Sequence, residues 1–148
     1  MKFMKYTTVN SNNILIFSLF AIVLFAIGLF MIYIMTFPTI TLDNGIIRIT
    51  GRYGGEFNLS DIQSVDTVKS YPKIVSMQRG SSGFLDSYIG SFRVTNEDKT
   101  AKLYIYRKQP PYIKIRMKDN SLLLFNFKKQ PDKTVEFYNQ LKTELNNP

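Results

Sequence analysis

Residues 14–37, ILIFSLFAIVLFAIGLFMIYIMTF, run for 24 positions without a charged side chain, and no other feature of the 148-residue chain limits its fold as sharply. A helix of that length measures about 36 Å against a bilayer hydrocarbon core of about 30 Å, so it crosses with some tilt. Tyr33, Phe37 and Pro38 crowd its C-terminal end, where amphipathic aromatics favour the headgroup region. Two other readings compete. A secretory signal peptide would use Lys2 and Lys5 as its basic start, but its apolar stretch runs about 7–15 residues and ends at a small-x-small cleavage site. This run is longer, and no such site follows Met35. The core helix of a soluble protein is seldom apolar around its whole circumference for six turns. The expectation is a single-pass transmembrane helix over 14–37, preceded by a polar tail over 1–13.

The remaining residues, 38–148, carry 17 of the 19 Lys+Arg and all 11 Asp+Glu, a net charge of +6. A basic domain tethered beside a membrane is drawn towards anionic headgroups. The chain has no cysteine and no histidine, which removes disulfides, thiol chemistry, histidine acid–base catalysis and the commonest zinc ligands. Scarce alanine beside abundant Ile, Lys and Asn points to an AT-rich bacterial genome.

Beyond the apolar run the hydrophobic period becomes strand-like and stays so for ninety residues. Residues 40–42 and 46–49 flank the turn signal Asp43, Asn44, Gly45. Tyr53, Gly55, Phe57 and Leu59 alternate with polar neighbours, and Gly51, Gly54 and Gly55 suit a sharp bend. Residues 62–68 read as a strand, and 73–87 as the least regular stretch. Strands are expected again at 88–95, 101–108, 112–118 and 122–127. Pro131 and Asp132 then open a helix over 132 to about 145, with Val135, Phe137, Tyr138, Leu141 and Leu145 as its apolar stripe. About seven strands and one final helix predict a small barrel or two-sheet sandwich capped by that helix.

Residues 42–55 (LDNGIIRITGRYGG) with 62–65 (IQSV) resemble the opening of the bacterial pleckstrin-homology-like domain family. Gly90, Ser91 and Phe92 fit its central step. Residues 111–115 (PYIKI), 124–127 (LFNF) and 134–141 (TVEFYNQL) are similar to how such domains close. The likeness spans most of residues 40–142, and membrane-attached members suit the apolar run. It implies a seven-stranded split barrel or sandwich closed by a C-terminal helix. It implies a platform for lipid, peptide or protein rather than any one activity, since fold alone does not give function. Members often carry two or more membrane helices, whereas this chain has room for one.

No catalytic constellation emerges. Glu97 and Asp98 fall in a turn, and Asp61 and Asp66 lie five apart on a short strand. Gly51, Gly54 and Gly55 join strands and precede no helix, so the dipole and aligned N–H groups of a phosphate loop are missing. Residues 99–118 hold seven basic side chains and no acidic one. If 101–108 and 112–118 form a hairpin, alternation gathers Lys102, Tyr104, Tyr106, Lys108, Tyr112, Lys114, Arg116 and Lys118 on one face. Leu103, Ile105, Ile113, Ile115 and Met117 then point into the core. Such a face would meet anionic lipid headgroups or an acidic protein; as plain solvated surface, it would discourage edge pairing. A membrane tether argues against nucleic acid. A second candidate is the loop bearing Arg79, Phe84 and Leu85, where glycines and serines surround apolar groups at a tip.

The sequence thus predicts a non-enzymatic, membrane-anchored binding or scaffolding module in the cell membrane, with no cofactor and no metal. The alternative is an accessory subunit assembled through its transmembrane helix, where Ala21, Ala26 and Gly28 offer small packing residues. Lys2 and Lys5 before the span balance Arg48 and Arg52 after it, so the positive-inside rule assigns no orientation.

Overall fold

The computed structural model describes residues 11–35, 38–51, 53–83 and 86–146. The chain divides into two units, with the boundary between Thr36 and Phe37. The first contains helix α1, Ser11–Met35. It begins three residues before the apolar run, so part of the expected polar tail is helical; residues 1–10, 36 and 37 lie outside the described residues. The stretch Ile14–Ile32 is long and apolar enough to cross a membrane, and none of it is buried.

The second unit opens with a three-stranded antiparallel sheet of β1 (Ile40–Asp43), β2 (Ile46–Ile49) and β3 (Gly55–Asn58), in that order. Asn44 and Gly45 join β1 to β2 with φ of 50° and 72°, the double positive φ of a tight type I′ hairpin. The register sets Leu42 opposite Ile47 and Ile47 opposite Phe57, so one face is apolar. Arg48 and Glu56 pair across the other face at 2.8 Å. Gly54 makes the bend before β3 possible: a β-carbon there would lie 2.1 Å from the Ile49 carbonyl oxygen.

A 3-10 turn at Leu59–Asp61 leads into β4 (Ile62–Val68). Next come β5 (Ile74–Ser82), β6 (Ser87–Val94), β7 (Ala101–Tyr106), β8 (Tyr112–Met117) and β9 (Leu122–Phe125). These six form one sheet in the order β4-β8-β9-β7-β6-β5. Consecutive strands β4 and β5 therefore occupy opposite edges. Six flat strands would put the edges about 24 Å apart, but the chain from Val68 to Ile74 reaches only about 21 Å when extended. The sheet must curl.

Burial agrees. One core cluster contains Phe92, Val94, Ala101, Leu103, Ile105, Tyr112, Leu122 and Leu124, with Val68, Tyr71, Ile74 and Tyr88 at its margin. Every member comes from the six strands or the β4–β5 loop, so the sheet closes over its own face. The opposite face supplies Val65, Tyr104, Ile113, Ile115, Leu123 and Phe125 to a second cluster. That cluster is completed by Ile40, Ile47 and Ile49 of the small sheet and by Phe137 and Leu141 of helix α2, Pro131–Asn146. The mainly-β domain with a C-terminal helix matches the expectation.

Several details differ. Nine strands are described rather than about seven. Residues 74–82 form a strand despite their irregular pattern, with register shifts between Ile74 and Ser76 and between Met77 and Ser81. Helix α2 buries Thr134, Phe137 and Leu141, while Val135 of the expected stripe is 42% exposed. Thr134 takes the inner position because its hydroxyl donates to the Gln130 carbonyl and accepts the Phe127 N–H, tying the helix start to the preceding turn.

Candidate functional site

The strands at 101–106 and 112–117 do not form a hairpin. Strand β9 lies between them, parallel to β7 and antiparallel to β8. Its register aligns Leu103 with Leu124 and Lys114, and Tyr104 with Phe125 and Ile113. Side chains on one row share a face, so Tyr112, Lys114 and Arg116 lie on the Leu103 side, opposite to Lys102 and Tyr104. Of the eight residues of the expected basic face, the six on these strands are thus divided between two faces, each of which covers a core cluster.

Tyr104, Tyr106 and Tyr112 are buried, at 0%, 7% and 1% exposure. The Tyr104 hydroxyl donates to the Tyr53 carbonyl at 2.6 Å, and Tyr112 accepts the Gln109 N–H at 3.3 Å. Burial pushes the phenols of Tyr104 and Tyr106 up to about 12. Arg116 forms a bidentate ion pair with Glu97 and also donates to the Asn120 carbonyl. That guanidinium bond holds the Glu97 carboxyl below its usual range despite partial burial. Lys114 is half-buried, whereas Lys102, Lys108 and Lys118 are exposed, the last two in turns after their strands. Arg107 sits in the turn after β7, 3.6 Å from Asp86 and 5.1 Å from the Tyr88 ring centre.

The second candidate is also reshaped. Arg79 is exposed on edge strand β5, not in a loop, while Phe84 and Leu85 lie outside the described residues. Among the described residues no group of three or more His, Cys, Asp or Glu side chains could hold a metal ion.

A different basic group emerges where the turn after β7 meets the segment between β9 and α2. Buried Asn126 fastens the two: its Oδ1 accepts the Tyr106 N–H at 2.7 Å, and its Nδ2 donates to the Tyr106 and Gln109 carbonyls. The Gln109 side-chain oxygen accepts the Lys129 N–H at 2.7 Å. Lys108 thereby neighbours the segment that carries Lys128, Lys129 and Lys133. The Lys128 ammonium stands 5.3 Å from the Tyr106 ring centre and that of Lys133 4.7 Å from Phe127. The ion pairs among the described residues are Arg48–Glu56, Lys99–Asp119, Arg107–Asp86 and Arg116–Glu97, and none uses these four lysines. A cleft of about 220 Å³ beside them is walled by Pro38, Thr39, Tyr106, Lys128, Gln130 and Lys133. The signal was present in the sequence as Lys128, Lys129 and Lys133 around Pro131, but a helix start explained that segment without a site.

At the other end of α2, Gly45, Asn58, Ser60, Lys118, Glu144 and Leu145 border an open groove of about 700 Å³. Its one lysine and one glutamate give it no dominant charge. No family model, curated protein or solved structure matches this chain.

Proposed function

We propose that this chain is a single-pass, membrane-anchored binding or scaffolding module and not an enzyme, its β-rich domain meeting anionic lipid headgroups or an acidic protein at a membrane surface. The observation that carries this reading is helix α1, whose stretch Ile14–Ile32 is uncharged and unburied. Burying so many apolar side chains in water-free surroundings is favourable by roughly 1.5–3 kcal/mol for each large one, and a bilayer supplies those surroundings. Tethering then raises the local concentration of the domain at the membrane, so weak contacts suffice. The absence of histidine and cysteine from the sequence removes histidine acid–base catalysis and thiol nucleophiles.

Membership of the pleckstrin-homology-like family belongs to the same proposal. Two sheets and a C-terminal helix support it; nine strands and the parallel β7–β9 pair depart from the expected seven-stranded form. Exchanging residues 11–35 for an unrelated membrane span separates a working domain from a working helix. Crosslinked neighbours that persist after the exchange support the domain as the contact. Their loss would assign assembly to the helix and make the chain a structural subunit.

A further inference from the structure

We infer that the turn between β9 and α2, with Lys108, Lys128, Lys129 and Lys133, is a contact site for the phosphate groups of anionic membrane lipids. The inference rests on the membrane-anchored reading and specifies its surface. Pro38 follows Met35, the last residue of α1, by three positions, so covalent geometry alone keeps it within about 11 Å of the helix end. Pro38 and Thr39 wall the same cleft as Lys128, Gln130 and Lys133. The residues that a membrane helix must hold at the interface therefore share a surface with a group of lysines.

Charge supports the same partner. Residues 126–135 contain three lysines and one carboxylate, Asp132. None of the four lysines enters an ion pair among the described residues. The rings of Tyr106 and Phe127 position two of the ammonium groups. A ring face orients a cation without neutralising it, so the positive field remains available to an anion. The cleft, at about 220 Å³, has room for a phosphate group. A lipid phosphate fits this combination of size, charge and covalent closeness to the membrane.

The test uses the full chain in lipid nanodiscs of phosphatidylcholine alone or with phosphatidylglycerol added. The acylation rate of each lysine is read by mass spectrometry. Adding phosphatidylglycerol should slow Lys128, Lys129 and Lys133 by about fivefold each, and leave Lys118, beside Glu144 at the far end of α2, unchanged. A Lys128→Gln, Lys129→Gln, Lys133→Gln variant should lose the lipid-dependent slowing at Lys108. Equal rates in both discs, or slowing that includes Lys118, would overturn the site. So would equal protection in neutral discs by inorganic phosphate or by an acidic peptide, which would move the site to a soluble ligand. A chain not retained in the discs overturns the anchored reading and this inference together. A retained chain with unprotected lysines overturns this inference alone.

Discussion

Asn126 and Thr134 are the buried polar residues among those described, and each joins the β9–α2 segment to a neighbour. Replacing Asn126 with Ala would remove its hydrogen bonds to the Tyr106 N–H and carbonyl and to the Gln109 carbonyl. Such losses cost about 1–3 kcal/mol per unsatisfied group; a total near 3 kcal/mol is expected from urea unfolding of the full chain in detergent. Glu97 gives a pH-dependent counterpart. Its carboxyl is depressed mainly by the hydrogen bond from Arg116, so its stabilisation is present above the ordinary value of 4.5 and disappears as the pH falls through the lower folded value. Glu97→Gln should cost about 1–2 kcal/mol at neutral pH and flatten the stability profile below pH 4.5. A profile that keeps its slope would remove Glu97 from the account. Tyr104 and Tyr106 act with the opposite sign. Their folded values near 12 exceed the ordinary 10, so stability should decline as the pH rises from about 10 to about 12, and Tyr104→Phe should shorten that decline. Alternation in the sequence told which neighbours within a strand share a face. It did not tell that both faces are covered, and for that reason three buried tyrosines read as surface.

Strand β9 explains the largest difference between the expected and observed arrangement of elements. Gln109, Pro110 and Pro111 between two alternating segments suggest a hairpin. Yet Leu122, Leu123, Leu124 and Phe125 are consecutive apolar residues, the mark of a strand covered on both faces. A strand of that kind needs two neighbours, and β9 takes β7 and β8, separating them. The clue was legible, but periodicity names strands without naming partners. Leu124→Ala should therefore cost about 3 kcal/mol, as expected for a fully buried leucine. Helix α2 offers a paired comparison. Leu141 is fully buried whereas Val135 is 42% exposed; Leu141→Ala should cost about 3 kcal/mol and Val135→Ala less than about 0.5 kcal/mol. Equal costs would place Val135 back in the apolar stripe that helical spacing suggested. The hairpin at Asn44 and Gly45, by contrast, was fully readable because its turn chemistry is local.

At the scale of the molecule, one six-stranded sheet encloses a core with its own strands and gives its other face to a small sheet and a helix. The sequence disclosed a mainly-β domain closed by a helix, because periods and turn residues are local signals. It concealed the order of the strands, which depends on contacts between distant segments, and therefore concealed which lysines lie together. The basic group on the β9–α2 turn became recognisable only when folding placed it beside Pro38 and Thr39. All functional readings of this surface depend on whether residues 14–37 remain attached and lie in a bilayer. The most direct measurement is the intact mass of a C-terminally tagged full chain after the membrane fraction is washed with alkaline carbonate. The account predicts a product that stays in the membrane pellet and retains residues 14–37. A tagged product released into the supernatant and shortened by loss of that segment would identify a cleaved signal sequence and contradict the anchored module.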